Sequence, residues 1–421
     1  MKYILTALLA FFYLFSNSSQ VLAASEPSAP EIHGEAAYLI DVQSGQTLFS
    51  KNGDKLLQPA STTKIMTGLL AIEQGDLEEI VTASKTMLDY KTVYGTRIYL
   101  EPGEQLTLED MLYALLLNSA NDAAVAIAEH IGGDLTHFTD MMNQRAQSIG
   151  LKDTTFKNPS GLTEEGHLTT AHDLARIAQV AYANPVFRDF IKTKSHVIPR
   201  AKENVPIEMI NENKLLWQNS MITGMKTGYT AAAGNCLVAS ASKDGRELIA
   251  VILKSPGGEI YKDMQQLLNY GFDNFENSIY KSSGDSITQI QVLDQPVNLV
   301  TQQTIWVTHP KSVPDSDTGS ATLSNLQFKL LPLQPELNQV TGGQILTNLE
   351  VLEGESLLAS IPLVADRTVE PKEQVHMGFS GIPLLLIIVT GGLFLSLKRR
   401  RIVLVGRSRD RRKIRRRTVF K

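Results

Sequence analysis

The sequence predicts a mixed α/β domain over residues 35–275, a small all-β domain over 278–366 and a single transmembrane helix over 379–397. Three observations predict it. Strand-like apolar runs stand at both ends of the first region with helix-period segments between them. The second region holds short β-rich runs broken by Gly, Pro, Asn and Asp. Near the C-terminus an uncharged stretch meets a dense basic cluster. At 421 residues, 43% hydrophobic and 20% charged, the chain is long and apolar enough to bury a sizeable core.

The opening "MKYILTALLAFFYLFSNSSQVLAA" has Lys2, an apolar run and small residues at Ala23 and Ala24, the layout of a secretory signal peptide spanning residues 1–24. "AAYLIDVQSGQTLFSKNGD" reads as a hairpin around a polar turn. "TKIMTGLLAIEQG" and "LTLEDMLYALLLNSANDAAVAIAEHIGG" place apolar residues at helical spacing, each ending at glycine. "LTHFTDMMNQRAQSIGL" and "TAHDLARIAQVAYANP" continue the helices, with Thr170 as a start signal and the "NP" as a stop. "NCLVASASKDGRELIAVILK" reverts to two strands around a turn, and "IYKDMQQLLNYGFDNF" closes the domain as a helix. After the β-rich runs, "DRTVEPKEQVHMG" is a linker. It leads to "FSGIPLLLIIVTGGLFLSL", an uncharged run long enough to span a bilayer.

Residues 398–421 hold thirteen Lys/Arg and one Asp, so the formal net charge of −4 conceals a basic tail and an acidic body. Membrane topology explains that tail with fewer assumptions than nucleic-acid binding: positive charge stays on the cytoplasmic side, so the folded body lies outside the cell membrane. Cys236 is the only cysteine, which excludes an internal disulfide framework and a cysteine zinc site.

Three short strings carry chemistry. In "PASTTKIMTGLL", Ser61 lies three positions before Lys64, so helical geometry puts both on one face. A desolvated amine beside a second cation can lose its proton and serve as general base to the hydroxyl. Taken alone, the spacing equally describes an N-capping serine before a solvent-facing lysine. In "LLNSANDAAVAIAEH", Asn118, Ser119, Asn121 and Asp122 interrupt an apolar helical stretch, either as an inter-helix cap or because buried polar groups there have a purpose. In "GMKTGYTAAAGNC", Lys226, Thr227 and Gly228 begin or precede a strand, and Gly228 permits close backbone approach.

In this order and at these separations the strings match S-x-x-K, S-x-N and K-T-G, the set shared by penicillin-binding proteins and class A β-lactamases. With their flanks, including "NPSGLTEEGHLTTAHDLA", residues 35–275 closely resemble the low-molecular-weight D-alanyl-D-alanine carboxypeptidases. The resemblance implies a transpeptidase-like domain of an antiparallel sheet plus a helical cluster, with the β-rich segment as the smaller C-terminal domain. It also implies roles. Ser61 attacks the carbonyl between two D-alanines of a peptidoglycan stem peptide, and Lys64 takes its proton. Ser119 and Asn121 relay a proton and hold the substrate amide. Lys226 and Thr227 receive the terminal carboxylate, and the backbone N–H groups of Ser61 and Tyr229, flanking Gly228, form the oxyanion hole. β-Lactams are the expected covalent inhibitors, and no metal or cofactor is called for.

Where many members carry an additional carboxylate-binding arginine, this chain has Glu212 and Lys214 in "NENKLLW", which leaves carboxylate recognition partly unassigned. Lys262 reads as a solvated helix lysine. His167 and His172 read as structural, and Asp173 as orienting its segment. One rival is a serine β-lactamase, which needs a deacylating glutamate; Glu164 and Glu165 match that pattern poorly. Another is a non-catalytic wall-binding scaffold, against which the three intact motifs argue.

Overall fold

The predicted hairpin at the start of the folded region is formed by strands β1 (Ala36–Asp41) and β2 (Thr47–Lys51), paired antiparallel in the computed structural model of the protein. The structure describes residues 28–311, 325–333 and 338–371. The predicted signal peptide, transmembrane helix and basic tail lie outside these described residues, among which no helix is long and apolar enough to cross a membrane.

Helix α1 (Lys64–Gln74) follows a 3-10 turn at Ala60–Thr63, and every residue from Lys64 to Ala71 is buried. A helix covered on all sides belongs in the middle of a core. Strands β3 (Ile80–Thr82) and β4 (Gln105–Thr107) form a small hairpin, leading to α2 (Leu108–Leu116) and α3 (Asn121–Gly132). Residues Asn121 to Ala128 of α3 are buried; four alanines among them let neighbouring elements pack closely. Helices α4 (Leu135–Ile149) and α5 (Ala171–Ala183) complete the cluster, α5 capped by the Thr170 hydroxyl accepting the Asp173 N–H at 3.0 Å.

Two helix ends differ from the sequence expectation in physical cause. Gly150 takes the left-handed conformation after α4 (φ 91°), but Gly75 after α1 does not, at φ −110°. A Cβ on Gly75 would lie 2.5 Å from Leu108 and 2.8 Å from Ile131, so it is room, not conformation, that requires glycine there. The "NP" predicted only as a stop also starts a helix, α6 (Pro185–Lys192). Asn184 Oδ1 accepts the N–H groups of Val186 and Phe187, and Pro185 occupies the first turn, where no N–H is missed.

A hairpin of β5 (Ser195–Val197) and β6 (Glu208–Ile210) and a single turn, α7 (Leu215–Gln218), lead back to the sheet. Strands β7 (Ile222–Thr230), β8 (Gly234–Lys243) and β9 (Arg246–Ser255) complete an antiparallel sheet of order β2-β1-β9-β8-β7, and α8 (Glu259–Asn274) packs on its other face. The topology places β7 at an edge. That edge lies against the turn carrying Ser61, which creates the cleft.

Strands β10 (Phe275–Lys281) and β13 (Ile305–Pro310) pair with each other, while β11 (Ser286–Val292), β12 (Gln295–Thr301), β14 (Leu326–Leu330), β15 (Ile345–Glu353) and β16 (Ser356–Ala365) form an antiparallel sheet of order β11-β12-β16-β15-β14. Its core includes Val297, Leu299 and Leu363, all fully buried. Buried hydrogen bonds join the β10–β13 pair to the β1–β2 turn: Ser44 Oγ to Thr308 Oγ1 at 2.6 Å, and the Thr308 N–H to Gln46 Oε1 at 2.6 Å. Asp41 is fully buried and accepts from Arg246 Nη2 at 3.1 Å and Asn277 Nδ2 at 3.0 Å. The described residues thus form one compact unit ending at Pro371.

Candidate active site

Ser61 sits inside the 3-10 turn rather than at its cap, and no side chain caps either that turn or α1. Its hydroxyl is therefore not spent on orphan helix N–H groups. It lies 3.0 Å from Lys64 Nζ. The same nitrogen is 2.7 Å from Asn121 Oδ1 and 2.7 Å from the Ser160 carbonyl oxygen. Both of these accept only. A neutral amine gives them its two N–H groups and keeps its lone pair for the Ser61 proton. Lys64 is fully buried, and that burial holds its pKa well below the usual lysine range; the positive charge of Lys226 lowers it further, against opposing pulls from Glu212 and Asp122. The sequence alternative of a solvent-facing lysine is excluded.

Ser119 joins α2 to α3 in a left-handed conformation (φ 61°), uncommon for a residue with a Cβ. The connection is pinned on either side: the Ala120 N–H donates to Ala114 and the Asn121 N–H to Thr96. Asn121 Nδ2 also donates to the Tyr94 carbonyl at 2.5 Å, which fixes Oδ1 toward Lys64.

Lys226, Thr227 and Gly228 lie well inside β7, not at or before its start as the sequence suggested, because the strand begins at Ile222. Gly228 faces Ser61: a Cβ there would meet Ser61 N at 2.8 Å. Lys226 is buried, 3.7 Å from Glu212, and burial lowers its pKa while Glu212 pulls it back up. The Thr227 hydroxyl donates to Glu212 Oε2 at 3.2 Å. An open cavity of about 470 Å³ unites Ser61, Ser119, Thr227, Gly228 and the exposed Tyr229, with Glu212, Lys214 and Tyr261 on its wall. The site therefore has a hydroxyl touching a desolvated amine, a second hydroxyl across the cleft, and a strand edge running past both. That arrangement suits acyl transfer from an extended peptide.

With that geometry in hand, comparison with known proteins is decisive. Residues 23–257 match the family model described as D-alanyl-D-alanine carboxypeptidase. The chain belongs to this family. It is 35% identical to the D-alanyl-D-alanine carboxypeptidase DacF of Bacillus subtilis over 69% of this chain and 76% of that protein. It is 31% identical to DacC of Escherichia coli over 86% of this chain and 90% of that one. The solved penicillin-binding protein 5 of Haemophilus influenzae superposes with a TM-score of 0.63 at 29% identity, covering 82% of this chain and all of the other. The protein is a serine D-alanyl-D-alanine carboxypeptidase with a mixed α/β penicillin-binding fold.

The carboxypeptidase's remaining sequence candidates fall outside the chemistry. Glu164 accepts from Asn158 Nδ2 at 3.1 Å and lines a separate cavity of about 220 Å³, and neither it nor Glu165 lines the Ser61 cleft, so neither stands where a deacylating carboxylate of the β-lactamase kind would act. Lys262 is exposed, 4.0 Å from Glu259, and also lies off the cleft wall. Asp173 accepts from the Asp153 N–H and the Thr154 hydroxyl, orienting that segment as expected. His172 pairs with Asp54 at 3.1 Å. Cys236 is buried on the cleft's edge, where burial pushes its thiol up to about 11 and keeps it unreactive. Among the described residues one trio with metal-ligand chemistry converges, His33, Glu259 and Asp263, but Asp263 spends both oxygens on His33, at 2.6 and 3.0 Å.

His167 braces the turn that leads into α1. Its Nδ1 accepts the Lys157 N–H at 3.2 Å, so Nε2 carries the proton and donates to Thr63 Oγ1 at 2.9 Å. Burial, with Lys157 and Lys64 nearby, lowers its pKa from 6.5 to about 4. A histidine kept neutral by the fold takes up its proton on unfolding, so stability falls as pH drops from the unfolded value through the folded one. We expect a loss of about 3 kcal/mol across that window, measured as the pH dependence of unfolding free energy. His167→Gln should flatten this component; an unchanged slope would exclude His167 as its source.

Sequence reasoning missed the Ser160 carbonyl and the contact of Glu212 with Thr227. A backbone acceptor has no side-chain signature, although "NPSGL" was itself part of the family resemblance.

Proposed function

We propose that the carboxypeptidase reaction runs through Ser61 with Lys64 as its base. The supporting observation is the 3.0 Å contact between Lys64 Nζ and Ser61 Oγ, made by an amine whose other two contacts are obligate acceptors. Ser61 Oγ bonds to the carbonyl carbon of the penultimate D-alanine as its proton passes to Lys64. The backbone N–H groups of Ser61 and Tyr229 hold the developing oxyanion, Gly228 lets the peptide lie close along β7, and Asn121 anchors the substrate amide. Ser119 passes the proton to the departing amine. The C–N bond breaks, terminal D-alanine leaves, and water then hydrolyses the ester. Lys226 supplies positive potential, and Thr227 with Lys226 meets the terminal group. Incubation with a pentapeptide stem should release free D-alanine, and folded Ser61→Ala should lose about 10⁴-fold or more of that rate. Substantial residual release would remove Ser61 from the mechanism.

The catalytic unit works, in this reading, on the outer face of the cell membrane after removal of residues 1–24. Residues 35–275 carry catalysis, 278–366 form a β-rich stalk, 379–397 anchor the enzyme in lipid, and 398–421 stay cytoplasmic. Support comes from the uncharged run and the thirteen Lys/Arg behind it. The full chain should stay in the membrane pellet through alkaline carbonate washing; release into the supernatant would overturn the anchor.

A further inference from the structure

The wall of the cleft carries a carboxylate where a carboxylate substrate must dock. Glu212 Oε2 accepts from the Thr227 hydroxyl at 3.2 Å and lies 3.7 Å from Lys226 Nζ, so one acidic oxygen engages both groups suited to receive a substrate's terminal anion. The placement is built, not incidental. Asn211 and Asn213, on either side, are buried. Asn211 Nδ2 donates to the carbonyls of Ile191 and Thr193, Asn213 Nδ2 donates to the Gly224 carbonyl within β7, and the Glu212 N–H donates to Leu117. With both neighbours locked inward, the glutamate between them faces the cleft with its side chain 42% exposed. Lys214, the lysine lining that wall, stands over the ring of Tyr261, also on the wall, at 5.9 Å.

We propose that Glu212 sets the charge preference of the leaving-residue subsite, weakening selection for a free terminal carboxylate and admitting donor peptides whose last residue is amidated or linked onward. The substrate class rests on the carboxypeptidase assignment. A second anion brought against Glu212 meets like-charge repulsion in a partly desolvated cleft, whereas a carboxamide accepts from Thr227 or donates to Glu212 without that cost. The chemistry is unchanged in either case. Ser61 Oγ bonds to the acyl carbon, the C–N bond breaks, and the amine departs with the proton that the serine gave up, whatever its own carboxyl carries.

The test compares the full-length enzyme with Glu212→Gln and Glu212→Ala on diacetyl-L-Lys-D-Ala-D-Ala and on the same peptide ending in a carboxamide. Removing the charge should raise the acid-over-amide ratio of kcat/KM about tenfold in both variants. A ratio within about twofold of the parent overturns the proposal. In parallel, acylation by benzylpenicillin and by its methyl ester reads the same preference without peptide turnover, and the acid-over-ester ratio should rise likewise. If the parent cleaves neither peptide, the stem-peptide assignment fails for this chain. The penicillin pair still decides the role of Glu212.

Discussion

Lys64→Met should abolish covalent labelling by a fluorescent penicillin, lowering the acylation rate about 10³-fold or more while leaving the protein folded. Methionine is a near match in volume, and it removes a buried amine whose charged form is strongly disfavoured. Against that relief, the variant leaves Asn121 Oδ1 and the Ser160 carbonyl oxygen without a donor, at about 1–3 kcal/mol each, so it should be less stable than the parent while still folding. That deficit should shrink as pH falls from the ordinary lysine value through the lowered one, because the unfolded parent gains by protonation across that window and the variant does not. The same depression predicts the pH profile of the parent. Acylation should rise with pH through the lowered Lys64 value, well before a solvent-exposed lysine would deprotonate. Lys226→Gln removes a charge that helps hold Lys64 down, so that limb should move to higher pH. Labelling of Lys64→Met at the parent rate would show that another group takes the Ser61 proton.

Why the sequence exposed this pair and hid its surroundings follows from distance along the chain. Ser61 and Lys64 meet because one helical turn brings them together, a relation fixed by local geometry. Asn121 and Ser160 reach the same nitrogen from 57 and 96 residues away, which no spacing rule reports. Likewise the hairpin β1–β2 and the helices α1 to α5 were legible from periodicity. Helix α6 was not, because its Asn184-Pro185 start coincides with the stop of α5. Strand β7 was read only at its Lys-Thr-Gly end; its beginning, Ile222 to Met225, follows a one-turn helix and lacks a clear alternating pattern. Glu212 was singled out as a departure, but only the fold brings it against Thr227.

Two glycines press on the turn carrying Ser61, and replacing them should have separable consequences. Gly161 has φ +83°, and a Cβ there would lie 1.8 Å from the Ala60 carbonyl oxygen and 2.8 Å from Thr63 Oγ1. Neither backbone can yield without moving Ser61 or the Ser160 carbonyl that Lys64 uses. Gly161→Ala should cost about 3 kcal/mol or more in stability and lose acylation with it. Gly228 has an ordinary φ, and its Cβ would press on Ser61 N at 2.8 Å and Thr62 N at 3.1 Å. Part of that pressure can be relieved by shifting the edge strand. Gly228→Ala should therefore cost only about 1–3 kcal/mol, yet cut acylation about 100-fold, since an ångström of misplacement spoils the attack geometry. Thermal unfolding and penicillin acylation measured on both variants check this. A Gly228→Ala enzyme that acylates at the parent rate would show that β7 does not bear on the nucleophile as closely as these distances require.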